Sequence, residues 1–374
     1  MLNHAILSHP SEFLTQWAAH PNPRQSTAEV FLADQKKRYA LGRNENTLLL
    51  AKDIQLSGVV DDFITEPMDW HGLPVVSQHA LPADAILVNT VANARPITAQ
   101  QNVQRRGDGL WLDHSDLYQI YPDLFTPPEY VQQSRATLQE KSEHFDYLYR
   151  KLADDESRKT LLDIFHYRMT GSPSFMHGYT CRVNDQYFES FFDFPQDGSF
   201  VDAGGFHGET SLEFSSRYPA YSDIHVFEPS ASNYERVLDA LKNTRNTNAY
   251  RVGLSSKKEV LRFSGDNGSA SKISDSGTDS IEVDRLDSFN LSRVDFIKMD
   301  LEGWELHALN GAQATILKNH PILAISGYHH PQDFIQIYDF VTQLRKDYKI
   351  YLRHYTEGWT ESVLYFVPIN VTKI

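Results

Sequence analysis

The chain has 374 residues, 41% of them hydrophobic, which is enough for two domains with cores of their own. A net charge of -14 with no compensating basic run argues against nucleic acid as a partner. A single cysteine, Cys181, excludes an internal disulfide and fits a reducing, cytoplasmic compartment. The opening Met-Leu-Asn-His-Ala has neither the basic start nor the apolar core of a secretion signal, and no window is long and apolar enough to span a bilayer.

Residues 1–35 read as helical, with Phe13, Leu14, Trp17 and Ala18 on one face and Pro21 and Pro23 as interruptions. A small α/β pattern follows: strands at 38–42, 56–60 and 85–89, a helix at 47–52, and an extended piece at 73–76. This predicts a compact parallel-sheet domain over residues 1–120. Asp61 lies 19 positions after Gly42, a faint nucleotide-site spacing. One glycine without partners is poor evidence, so a scaffold or acceptor-recognition role is expected. Pro122, Pro127 and Pro128 mark loops. Helices at 130–152 and from Asp154 or Asp155 to Met169, stopped by Gly171-Ser-Pro173, predict a helical bridge over 121–184.

The main domain is expected at 185–374. Tyr187 lies in the segment leading into it, placed either to pack on a cofactor or in the core. The run Phe-Val-Asp-Ala-Gly-Gly-Phe-His-Gly-Glu-Thr-Ser at 200–211 reads as strand, tight loop and helix start. Its glycines, Gly204, Gly205 and Gly208, depart from G-x-G-x-x-G, with Phe206 and His207 between them and Asp202 just ahead. A second apolar run, 224–227, ends at Glu228-Pro229, and Glu228 is 20 positions after Gly208, the offset of a ribose-binding acid. A pyrophosphate wants a helix N-terminus. S-adenosylmethionine (SAM) has no phosphate and carries a cationic sulfonium, which suits an acidic strand end better.

A third strand is expected at 248–254, including Gly253, and a hairpin-like excursion at 261–283, whose serine-rich 267–271 is a candidate lid or acceptor loop. The run Asp-Phe-Ile-Lys-Met-Asp-Leu-Glu-Gly-Trp-Glu at 295–305 reads as a fourth strand and a turn. Strand alternation puts Lys298 and Asp300 on one side, with Asp300 at the carboxyl end where open α/β sheets bind ligands. A buried lysine is costly unless paired, so Lys298 is either a member of the site or half of a structural ion pair. Glu305 reads as a first-turn acid facing the helix dipole. After the fifth strand, 322–326, come His329 and His330, candidate general bases beside Asp300; His207 and His354 are weaker ones. Asp300, Glu302 and this histidine pair supply few oxygen ligands for a hard cation, so no metal is expected. Strands at 349–353 and 362–367, separated by a turn, should pair antiparallel.

These three motifs together resemble the FkbM family of SAM-dependent methyltransferases over about 187–367, the Lys-x-Asp-x-Glu-Gly run being the specific part. The resemblance implies a Rossmann-like class I methyltransferase sheet with an antiparallel terminal hairpin, beside the smaller N-terminal α/β domain and helical bridge. It implies methyl transfer, usually to oxygen, on a sugar, glycan or other small-molecule acceptor. By position, Asp202 and Gly204 would line the methionine end of SAM, Glu228 would take the ribose hydroxyls, and Asp300 would face the methyl group. The rival readings are a nicotinamide-dependent (NAD(P)) oxidoreductase, disfavoured by the glycine spacing and terminal hairpin, and a non-catalytic nucleotide-binding protein. Acceptor identity and oligomeric state are not encoded in these motifs.

Overall fold

The structure is a computed structural model that describes residues 9–33, 37–105, 109–264, 272–273 and 279–372. The chain forms two compact units. The first comprises Met1–Tyr149, Lys159–Val183 and His354–Glu361; the second comprises Arg150–Arg158, Asn184–Arg353 and Ser362–Ile374.

In chain order, the first unit begins with α1 (Pro10–Ala19), α2 (Gln25–Ala33), β1 (Arg38–Leu41), α3 (Glu45–Asp53), β2 (Gly58–Val60), β3 (Met68–Trp70), β4 (Leu73–Val76) and β5 (Ile86–Asn89). Then come α4 (Pro96–Gln104), β6 (Trp111–Asp113), α5 (His114–Ile120), α6 (Glu129–Glu140), α7 (Ser142–Lys151) and α8 (Asp155–Thr170), the last two running across the boundaries between the units. The sheet order among the described residues is β3-β4-β2-β1-β5-β6. β1 pairs in parallel with both β2 and β5, and the weak edge hairpin β3–β4 is antiparallel. Alternation along β5 explains its wholly apolar centre. Ile86 and Val88 enter a core with Phe31, Leu50 and Leu117, while Leu87 joins Val60, Val103 and Trp111 on the other face.

The expected single helix over 130–152 is two. Lys141 leaves helical geometry (φ -109°, ψ 19°) and separates α6 from α7. Asp154 caps α8 by accepting the Ser157 N–H at 2.8 Å. Gly171, at φ +68°, ends α8; a Cβ there would meet the Tyr118 hydroxyl at 1.9 Å, so only glycine fits.

The second unit holds β7 (Ser199–Ala203), α9 (Glu209–Arg217), β8 (Asp223–Phe227), α10 (Ala231–Leu241), β9 (Thr247–Tyr250), β10 (Gly253–Leu254), β11 (Glu259–Ser264), β12 (Lys272–Ile273) and β13 (Asp279–Asp284). It continues with β14 (Phe296–Met299), α11 (Glu305–Asn310), α12 (Gln313–Asn319), β15 (Ile322–Ser326), α13 (Asp333–Leu344), β16 (Tyr348–His354) and β17 (Ser362–Pro368). The main sheet runs β16-β17-β15-β14-β7-β8-β9, with β17 antiparallel to β15 and the run β15-β14-β7-β8-β9 parallel throughout. Phe200 of β7 stacks on Phe214 of α9 at 4.3 Å and meets Phe296 of β14 at 5.2 Å, an aromatic seam that fixes helix against sheet.

The expected third strand is split. β9 stays in the main sheet, whereas β10 leaves it to pair with β13 in a small second sheet, β10-β13-β11-β12. Arg251 at the break is exposed, and buried Gly253 lets β10 lie against Val283, where a Cβ would be 3.1 Å from the valine methyl. The 261–283 excursion contains the antiparallel pair β11–β13. The serine-rich 267–271 lies outside the described residues. No helix among the described residues is long and apolar enough to cross a membrane.

Three buried histidines make the first unit acid-sensitive. Burial pushes His114 and His166 down to about 4, and burial together with Arg168 and Arg182 pushes His354 to about 3, from an ordinary value near 6.5. The rings therefore stay neutral in the fold while the unfolded chain protonates. Stability is complete above 6.5 and falls as pH drops toward 4, by roughly 2 kcal/mol per ring between pH 6.5 and 5. Asp113, raised to about 7 by burial and Asp116, contributes with the opposite sign. Thermal melts of the parent chain and His166→Phe at pH 7.5 and 5 isolate one ring. The variant should lose less stability on acidification, and identical pH slopes would refute the assignment.

Candidate active site

The site is built where β7 and β14 lie side by side. Their register pairs Lys298 with Asp202 directly. Lys298 Nζ donates to Asp202 Oδ1 at 2.9 Å and to the carbonyl oxygens of Ala203 at 3.3 Å and Gly204 at 2.6 Å. Ser211, in the first turn of α9, donates to Asp202 Oδ2 at 2.7 Å. Asp202 is fully buried and Lys298 nearly so. Burial alone would strip the lysine of its proton. The carboxylates of Asp202, Asp300 and Glu228 outweigh it and hold Lys298 above its ordinary pKa. Both Asp202 oxygens are engaged and shielded, so Asp202 supports the loop from beneath and presents no surface to a cofactor. The Lys298 ammonium ties the loop carbonyls to the sheet rather than moving a proton.

The loop between β7 and α9 follows from this anchor. Gly204 has φ +83°, and a Cβ there would stand 2.0 Å from the Asp300 carbonyl oxygen. Gly205 passes so close to β8 that a Cβ would meet a Val226 methyl at 2.3 Å, and Gly208, at φ +89°, starts α9. Gly204 and Gly205 both donate to the Phe227 carbonyl. Phe206, at φ +47°, donates its N–H to Glu228 Oε2 at 2.9 Å, and Ser230 donates to Oε1 at 2.9 Å. Glu228 is thus aimed at the loop by two backbone donors, with half of its acceptor capacity unused. Burial raises its pKa, and those two donors with Lys298 restrain the rise. His207 stacks on Phe206 at 3.6 Å and accepts from Arg236 Nη1 at 2.7 Å. Pro229 is half-buried against Gly253, which is a packing position in β10.

Asp300 caps β14. Tyr187, at φ +74°, donates its hydroxyl to Asp300 Oδ2 at 2.9 Å, and Tyr328 approaches Oδ1 at 3.4 Å. The Tyr187 ring also lies 5.5 Å from Lys298 Nζ, a cation–π contact. Tyr187 is therefore a partner of the acid, a role sequence spacing could not show because 113 positions separate the two. Glu302, at φ +53°, and Gly303, at φ +93°, make the turn into α11. Glu305 is the expected first-turn acid of α11, and it is buried: it is 2% exposed and accepts the Leu301 N–H at 2.6 Å.

The two histidines part company. His330 is exposed, with its ring over Gly303. His329 is turned inward, with Nδ1 3.2 Å from Glu305 Oε1 and Nε2 3.4 Å from Glu302 Oε2 and 3.6 Å from Asp300 Oδ1. Burial would lower its pKa, but Glu305, Glu302 and Asp300 raise it well above the ordinary value. The three acids thus favour the protonated ring at His329. His354, the other histidine at a strand end, falls in the first unit.

If the β7–β14 ion pair is the anchor, Lys298→Met should destabilise the protein by about 3–5 kcal/mol, because it strands a buried carboxylate. The double variant Asp202→Asn/Lys298→Met should recover much of that loss. Urea unfolding of the three proteins checks it, and a cost under about 1 kcal/mol for Lys298→Met would remove the anchor role.

Residues 202–352 match the Methyltransferase FkbM domain model, a span that lies wholly inside the second unit. Among solved structures, the chain is similar to a methyltransferase FkbM from Methylobacillus flagellatus, at 22% identity and a TM-score of 0.72, covering 97% of this chain and 100% of that one; this likeness shows a shared fold. An rRNA methylase from Streptococcus thermophilus matches at 15% identity and a TM-score of 0.32, over 48% of this chain and 89% of that one. Aeropyrum pernix fibrillarin matches at 10% and 0.32, over 47% and 69%. No curated protein matches the chain. The α/β sheet with its antiparallel closing strand, the loop anchored on Lys298 and the matched span agree: residues 202–352 are similar to the FkbM methyltransferase domain, and the chain is a methyltransferase.

Proposed function

We propose that the protein methylates a hydroxyl group of a sugar, glycan or natural product, with SAM as the donor. The observation that carries this reading is electrostatic. Asp202, Asp300 and Glu228 all act on one lysine, so three acids converge at one edge of the sheet; Asp202 is fully buried, Glu228 is 6% exposed and Asp300 is partly open. The remaining edge is acidic and suits a cationic donor. The glycine loop supports the fit, since at Gly204 and Gly205 the backbone runs where any side chain would collide. Glu228 keeps free lone pairs for two ribose hydroxyls. When bound, SAM would supply a methyl group on a sulfonium, whose bonding electron pair would stay on sulfur when the methyl passes to the acceptor oxygen.

The chain's own residues do the rest. Asp300 Oδ1 receives the proton of the acceptor hydroxyl, while Tyr187 holds Oδ2 and fixes the carboxylate plane. Tyr328 and Glu302 line the same edge and can accept or donate to further hydroxyls. With Asp300, Glu302 and Glu305 gathered there, an anionic acceptor would be repelled, which favours a neutral polyhydroxylated one. Most of the rate gain comes from aligning oxygen with methyl.

Isothermal titration should detect SAM binding, and no heat at millimolar SAM would count decisively against the reading. Asp300→Asn should keep SAM affinity within a few-fold and lower turnover by about 10²–10⁴-fold. Tyr187→Phe should lower turnover by roughly tenfold by freeing the carboxylate. Unchanged turnover in both variants on an identified acceptor would remove Asp300 from its role.

A further inference from the structure

Three carboxylates crowd His329, yet neither of its ring nitrogens has a hydrogen-bond partner. The side chain is 9% exposed and aimed into the cluster. Glu305 Oε1 lies 3.2 Å from Nδ1, and Glu302 Oε2 and Asp300 Oδ1 lie 3.4 and 3.6 Å from Nε2, so the acids flank both ring nitrogens without hydrogen-bond geometry. One ligand atom each from Asp300, Glu305 and His329 lie within 4.8 Å of one another. An ion bound at about 2.1–2.3 Å sets neighbouring ligand atoms roughly 3–4.5 Å apart.

We infer that Asp300, Glu305 and His329 form a site for a divalent cation that accepts mixed oxygen and nitrogen ligands. The donors are oriented from behind. Glu305 Oε1 is held by the Leu301 N–H, and Asp300 Oδ2 by the Tyr187 hydroxyl, which leaves Oδ1 facing the cluster. Glu302, brought inward by its left-handed backbone, is a fourth donor. The Asp300 and Glu302 side chains are 20% and 35% exposed, so the remaining coordination positions open toward solvent. One imidazole among carboxylates suits Mn2+ and its first-row neighbours better than Mg2+, which prefers oxygen alone. The role of the cation rests on the reading given under Proposed function: with Asp300 Oδ1 engaged as a ligand, the cation's charge would acidify an acceptor hydroxyl bound to it, and the proton would pass to solvent in place of Oδ1.

The test is MnCl2 titration of the full chain after EDTA treatment and dialysis, following free Mn2+ by electron paramagnetic resonance, with a parallel SAM titration. One Mn2+ per chain is expected, with affinity reduced at least about tenfold in His329→Gln and in the more exposed Asp300→Asn. Circular dichroism melts confirm that both variants fold. No bound Mn2+ at millimolar concentration, or binding unchanged in both variants, overturns the site and leaves His329 as an imidazolium clamp among the acids. SAM binding without Mn2+ binding sinks this inference alone; Mn2+ binding without SAM binding sinks the donor assignment and leaves the metal site standing.

Discussion

A buried lysine paired across adjacent strands holds the catalytic unit together. Lys298 and Asp202 face each other in the β7–β14 register, out of reach of water. Neither charge could persist there alone, since desolvating an ion costs several kcal/mol. Together they close a circuit that also takes in the Ala203 and Gly204 carbonyls and the Ser211 hydroxyl. The ammonium thus reaches from one strand into the loop of the other. Once that loop is fixed, the Phe206 N–H is delivered to Glu228 and the Asp300 backbone is locked against Gly204. Two strand ends and a helix start become one rigid rim.

The surplus of acid on that rim is what gives it chemical direction. Lys298 is paired with Asp202, and among the described residues the ion contacts of Asp300, Glu302 and Glu305 converge on His329. Whether a proton or a metal ion sits among them, the cluster is organised to hold positive charge next to the Asp300 carboxylate. The matched domain, residues 202–352, contains all of these residues except Tyr187, which reaches back to Asp300 from the segment before β7. The first unit is a separate parallel sheet with its own core.

Much of this was legible because strands and glycine turns leave strong local marks. The apolar runs ending in Asp202, Glu228 and Asp300 located three strand ends, and the twenty-position offset singled out Glu228. What spacing could not convey was direction and depth. Asp202 and Asp300 carry the same charge and both end strands, yet one is sealed and the other partly open, because only Asp202 meets Lys298 in register. Adjacent His329 and His330 are equivalent on paper, and the turn after β15 sends one inward and one out. Tyr187 and Tyr328 found Asp300 across long stretches of chain, where periodicity is silent. The break at Lys141 and the departure of β10 from the main sheet are tertiary decisions overriding a continuous local pattern.

Tyr187, Phe206 and Glu302 all carry positive φ on full side chains, and all three border the same edge. Each such residue costs on the order of 1–3 kcal/mol relative to a relaxed backbone. Glycine or asparagine at any of them would relieve that cost while deleting a phenol, a ring or a carboxylate. Breeding this protein for heat resistance alone would therefore erode the rim first, so a hardened variant should be screened for chemistry before its higher melting point is welcomed.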